Sequence, residues 1–298
     1  MSELVSISNE FLRLSVLPAL GGSIASFDAL IDGHWQPILR RWNKDNTPLA
    51  TGCFPMLPFC NRIQDAQFAW QGGLVSLQAN LPPESHAIHG FGWQQSWTLE
   101  HLSGSQILIS HHQDDPGQWP FSYLCFQRFS LSRCSLRAEM VITNQGTELM
   151  PVGAGFHPYF CMTPDVRLIA DCEEQWLVDD NMMPEGKIPV SPQLQTDQGM
   201  ALQGSGLDNL FSGFKSPCRI IWPGAGVQLD MRTSNSCRFL QVYCPDAEDY
   251  FCVEPQSMSI DGFNRQQAGL TDSGTALLEP GESFTVWMEL FPASVKAG

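Results

Sequence analysis

A chain of 298 residues with 43 % hydrophobic content can bury a full core, so intrinsic disorder is excluded. Its formal charge of −15, from sixteen Lys and Arg against thirty-one Asp and Glu, argues against nucleic-acid or anionic-membrane partners. No apolar run approaches the ~18 to 20 residues that span a bilayer, and the charge best suits a small neutral ligand.

The segment Met1–Glu10 has no basic start and no apolar core, so it does not read as a secretory signal. Leu12, Leu14 and Val16 then alternate with polar neighbours until Pro18 and Gly21-Gly22 turn the chain. The same period of two returns at Ile107 and Ile109, over Leu136, Ala138, Met140 and Ile142, and at Phe284, Val286, Met288 and Leu290. Between these lie short β-branched or aromatic runs at 219–222, 227–231, 239–243 and 250–253. Period two is the strand period. No window of ten or more residues carries a convincing helical repeat, and twenty-five glycines and twenty-one prolines supply turns. The expectation is one all-β domain over residues 1–298, an antiparallel sandwich or barrel, with residues 183–206 as a long surface excursion. Ten cysteines include no Cys-x-x-Cys pair. Cys125, Cys134, Cys161 and Cys252 lie in strand-like segments and read as reduced core thiols of a cytoplasmic protein.

Chemistry concentrates in a few places. His86-Ala-Ile-His89-Gly-Phe-Gly-Trp93 packs two histidines, two glycines and an aromatic pair into eight residues. Glycines beside His89 permit close approach of a ligand, and Trp93 offers a flat face for a sugar ring. His157 and Glu254 each precede a proline, which holds the backbone extended. A glutamate after Tyr250–Val253 is costly to bury unless partnered or protonated, and burial would raise its pKa toward a range useful for proton transfer. Arg62, after Asn61, is either a clamp on a carboxylate or a donor fork for ligand oxygens. On spacing alone, Asp208 after Gly204-Ser-Gly206 reads first as a turn residue. His34, His101, His111 and His112 read as structural, in loops or at strand ends. His86 and His89 lack a convergent metal-ligand spacing, and there is no nucleotide or acyl-serine motif, so neither metal nor organic cofactor is expected.

Six motifs occur in family order: Asn61-Arg62-Ile63, His86–Trp93, Trp119-Pro-Phe121, His157-Pro-Tyr-Phe160, Leu207-Asp208 and Val253-Glu254-Pro255. Together they resemble the aldose 1-epimerase (galactose mutarotase-like) family from about Leu4 to Phe291. The resemblance implies a large antiparallel β-sandwich, the galactose mutarotase-like supersandwich. It also implies Glu254 as base toward the anomeric hydroxyl, His157 as acid toward the ring oxygen, and His89 as a second histidine on the sugar. Arg62 and Asp208 would hold hydroxyls, with Asn61 and Trp93 beside them. The expected reaction interconverts hexose anomers by opening and reclosing the ring, with carboxylate and imidazolium on opposite sides of the sugar. No metal or cofactor is implied, and the chain is expected to act as a monomer or homodimer. The histidine motif differs from the Asn-His-x-Tyr-Phe pattern of familiar galactose mutarotases, which points to a divergent branch. A phosphorylated or sulfonated sugar would need extra cations, for which Arg40, Arg41, Lys215 and Arg265 are the candidates. A sugar-binding protein without turnover, or a glycosidase using Asp208 with Glu254, are the remaining alternatives.

Overall fold

The computed structural model describes residues 3–295; Met1 and Ser2, where the N-terminal segment begins, and residues 296–298 lie outside the described residues. Alternating sequence becomes strand wherever one face can be buried. Leu12, Leu14 and Val16 are buried in the strand Leu12–Leu17, and Leu136, Ala138, Met140 and Ile142 in Leu136–Asn144. A slip of one residue would turn every one of them to solvent, so this pattern fixes the register. Leu136–Asn144 accordingly pairs antiparallel with Tyr123–Leu131 on one side and Ser283–Ser294 on the other.

The strands form one eleven-stranded and one nine-stranded sheet. Residues of both, including Phe27, Phe160 and Phe251 from the first and Phe129, Met140 and Met288 from the second, share one apolar cluster. The architecture is a large antiparallel β-sandwich. Among the described residues the only α-helix is Gly262–Gln267, too short to show as a helical repeat.

Three expectations need correction. Residues 183–206 do not form a loose excursion: Pro184–Pro189 pairs with Glu174–Val178, and Leu194 and Leu202 are fully buried. Those two leucines anchor a segment whose Pro and Gln content suggested weak order. All ten cysteines are free, but Cys134 is exposed in the bend before Leu136–Asn144 rather than in the core. His101, His111 and His112 lie within strands, and His111 is buried against Trp97 and Tyr123.

Five neighbouring strands of the larger sheet matter most: Cys53–Met56, Gly155–Cys161, Tyr250–Gln256, Phe239–Tyr243 and Asp208–Ser212. Their apolar residues Phe156, Phe160, Phe251, Val253, Leu240 and Val242 enter the shared core. Side chains alternate along a strand. His157, Glu254, Gln241 and Asp208 therefore project from the opposite face.

Candidate active site

On that face opens a cavity of about 290 Å³. Six of the residues singled out in the sequence line it: Asn61, Arg62, His89, His157, Asp208 and Glu254. Sheet register explains how distant residues meet. Gly155 pairs with Gln256 and Tyr159 with Cys252, so His157 and Glu254 fall opposite each other between those pairs. Glu254 in turn pairs with Gln241, beside Asp208.

Asn61, Arg62 and His89 arrive on a covering segment instead. Arg62–Ile63 pairs with Ala87–Ile88, and the His89 amide donates to the Asn61 carbonyl at 2.9 Å. Asn61 and His89 both take left-handed backbone, with φ of 56° and 59°. Gly90 follows at φ 68°, and a Cβ there would collide with the Leu57 carbonyl. Only glycine fits that approach. His86 faces away from the cavity: its Nδ1 accepts from the Asp65 amide at 2.9 Å and its Nε2 meets the Asn181 carbonyl at 3.0 Å.

Trp93 does not line the cavity. Its ring is buried, its Nε1 donates to the Gly90 carbonyl, and it stacks on Phe54 with centroids 5.0 Å apart. Phe54 stacks on His157 at 4.4 Å, His157 lies 4.7 Å from Tyr159, and the Arg40 guanidinium caps Tyr159 at 3.9 Å. The tryptophan is the far end of a stack that fixes the plane of the His157 ring, rather than a platform for ligand.

The polar geometry is compact. His157 Nε2 lies 3.2 Å from Glu254 Oε1, and the other oxygen of Glu254 has no partner. The expected placement of acid and base on opposite sides of the ligand is not what the fold builds; the two groups stand side by side on one wall. Burial, with Asp208 adding to it and Arg62 opposing, raises the Glu254 pKa well above the usual carboxylate range. Burial, aided by the nearby Arg40, lowers His157 to about 3. His89 is lowered by burial, His157 and Arg62. Desolvation thus disfavours the charged pair at rest and favours a protonated Glu254 beside an unprotonated His157. Its imidazole edge-on to His157 at 5.1 Å, His89 completes the wall.

Arg62 combines both roles foreseen for it. It lines the cavity while its Nε bonds Glu84 at 3.1 Å. Two useful groups were not singled out in the sequence. Gln241, buried mid-strand, accepts from Asn61 through its Oε1 and donates through its Nε2 to Asp208 at 2.7 Å. Tyr159, Tyr243 and Tyr250 form an aromatic rim; alternation with His157 and Glu254 along their strands could have marked two of them.

His89, His157 and Glu254 offer ligand atoms within 4.8 Å of one another. Two imidazoles and a carboxylate could in principle hold a transition metal. Ligating histidines normally give the second ring nitrogen to an acceptor; here Nδ1 of both rings is buried without a partner. The donor set suits proton transfer better.

A family model described as aldose 1-epimerase matches residues 3–290, nearly the whole chain. The chain belongs to the aldose 1-epimerase family. Among its relatives is YphB of Escherichia coli K12, an uncharacterized protein 33 % identical over 273 residues, covering 88 % of this chain and 91 % of that one. A crystallised E. coli K12 protein provisionally described as an aldose 1-epimerase superposes with a TM-score of 0.88 at 29 % identity, covering 98 % and 99 % of the two chains. A galactose mutarotase-like protein from Clostridium acetobutylicum gives a TM-score of 0.86 at 18 % identity, covering 98 % and 95 %, a likeness of fold alone. No helix among the described residues of this epimerase-family chain is long and apolar enough to cross a membrane.

Proposed function

We propose that the protein is an aldose 1-epimerase that interconverts the α and β anomers of an uncharged hexose. The observation that carries this reading is the 3.2 Å contact between His157 Nε2 and Glu254 Oε1 at the cavity wall. Ring opening takes the proton from O1 and delivers one to O5, and both oxygens are bonded to C1. An acid and a base side by side suit that geminal pair better than groups facing each other across a ring. Once the Glu254 proton has passed across the contact to His157, Glu254 accepts from O1 as His157 donates to O5. The C1 aldehyde turns about C1–C2, and the same groups reclose the ring on its other face. His89 donates to the sugar from the adjacent wall, while Arg62, Asn61 and Asp208 hold hydroxyls. Each positioned proton transfer contributes roughly 10²- to 10⁴-fold.

Preference for an uncharged sugar rests on the cations. Arg40 is spent on the Leu49 and Thr51 carbonyls and the Tyr159 ring, Arg41 on Asp28, Lys215 on Glu173 and Arg265 on Asp272. None of these four lines the cavity, where Arg62 already faces Glu84. A phosphate or sulfonate would meet one partly neutralised guanidinium beside Asp208 and Glu254. Polarimetry of freshly dissolved α-D-glucose and α-D-galactose, with anomer-exchange NMR on their 6-phosphates, tests both points. Acceleration of the free sugars is expected; acceleration of the phosphates alone would overturn the assignment of substrate charge. Sugar binding without faster exchange would make the protein a binding module.

A further inference from the structure

The His89 ring is poorly tethered by its own atoms. Its Nδ1 is buried without a hydrogen bond, and its ring neighbours are the edges of Phe54 and His157. Its direction is therefore set by its backbone, which holds φ 59° followed by φ 68° at Gly90. Left-handed backbone at a non-glycine residue costs free energy and persists only where surroundings enforce it.

Beside the hydrogen bond from the His89 amide to the Asn61 carbonyl, one side chain grips both flanks of that turn. Asn80 Oδ1 accepts from the Ile88 amide at 2.8 Å, and its Nδ2 donates to the Ile88 carbonyl at 2.9 Å and the Gly90 carbonyl at 2.8 Å. These bonds grip the peptide groups on both sides of His89. Asn80 is itself held by Gln94, whose Nε2 donates to the Asn80 carbonyl at 2.7 Å. Asn80 does not line the cavity; it works from behind the covering segment that carries His89.

We infer that Asn80 is a positioning residue that fixes the His89 imidazole toward the sugar by clamping Ile88 and Gly90. The role rests on the epimerase reading for its catalytic consequence, though not for its structural one. The chemistry requires an amide, because one end must accept an N–H while the other donates to two carbonyls. Aspartate keeps the shape and the acceptor, loses both donations, and sets a carboxylate against two carbonyl oxygens.

The test compares Asn80→Asp and Asn80→Ala with the wild-type protein and with Ile220→Val, a core variant far along the chain that serves as a reference for general destabilisation. In the Asn80 variants kcat is expected to fall about 10- to 100-fold, as a displaced catalytic group does, with KM within about threefold. The His89 ring resonances, assigned by loss in His89→Asn, are expected to shift and broaden while those of His111 stay in place. A kcat loss no larger than that of Ile220→Val at matched Tm, or an unmoved His89 resonance, would overturn the inference. If wild-type protein accelerates no anomer exchange, the epimerase reading fails by itself, and the resonances still decide whether Asn80 positions His89.

Discussion

Replacing Glu254 by glutamine separates the chemistry of the site from its architecture. Glutamine matches the shape of glutamate and keeps an oxygen for the contact with His157 Nε2, now 3.2 Å from a carboxylate oxygen. It cannot take the O1 proton. Loss of one positioned proton transfer is worth roughly 10²- to 10⁴-fold in kcat, or about 3 to 5 kcal/mol of barrier. Sugar binding should stay within about tenfold, since hydroxyl contacts through Arg62 and Asp208 survive and only the interaction gained in the transition state is removed. Stability should move the other way. The folded Glu254 pKa is raised by burial, so its contribution is present below the unfolded value and is lost as pH rises from there through the folded value. Glutamine removes that loss, and Glu254→Gln is expected to melt no lower than wild type at pH 8. The readouts are anomer-exchange NMR for turnover, calorimetry for sugar affinity, and a thermal melt. Wild-type-like turnover would take Glu254 out of the mechanism. Turnover and Tm falling together would make it a structural residue instead.

Arg62→Ala should raise KM about 10- to 100-fold through lost charge-assisted hydrogen bonds, with a smaller change in kcat; an unchanged KM would leave Arg62 a clamp for Glu84 only. Trp93→Phe removes the bond to the Gly90 carbonyl and part of a buried ring, so urea denaturation should show a loss of about 1 to 3 kcal/mol. KM should hold, and a rise in KM at constant stability would return Trp93 to the ligand. Burial, with His112 adding to it, lowers His111 to about 4. The unfolded chain takes up that proton near pH 6.5 and the folded chain does not, so stability is lost as pH falls through this window. Relative to wild type, His111→Asn should gain up to about 3 kcal/mol between pH 7 and 4 in urea midpoints; a constant gap would refute the assignment. A thiol reagent should label Cys134 rapidly in the native protein and Cys161, partly exposed, slowly, with the other eight released on unfolding; fast labelling of a third thiol would contradict the burial.

Strand alternation is a property of neighbours, so the buried faces of Leu12–Leu17 and Leu136–Asn144 are legible in the residue order alone. The same alternation cannot say that residues 183–206 are ordered, because Leu194 and Leu202 are lone anchors without a period. Trp93 is misread for a related reason: an aromatic beside a histidine motif looks the same whether it faces ligand or supports Phe54 from behind.

The site itself depends on a quantity that no local pattern holds. In an antiparallel pair the two residue numbers keep a constant sum, so a single pairing, Gly155 with Gln256, sets His157 opposite Glu254. Parity along each strand decides which face a residue takes, and parity is legible. The register between strands about a hundred residues apart is not. It is decided by which apolar set each strand can bury, with Val253 and Phe251 going to the core as Phe156 and Phe160 do. Shifting one strand by one would bury its ionisable residue, His157 or Glu254, among those side chains and send an apolar residue to the cavity. The packing that stabilises the sheet is thus also what brings the His157 imidazole and the Glu254 carboxylate to 3.2 Å. Asn80 shows the complementary limit: its bonds to Ile88 and Gly90 join residues only eight to ten apart, yet they depend on a left-handed turn at His89 that the residue type does not announce.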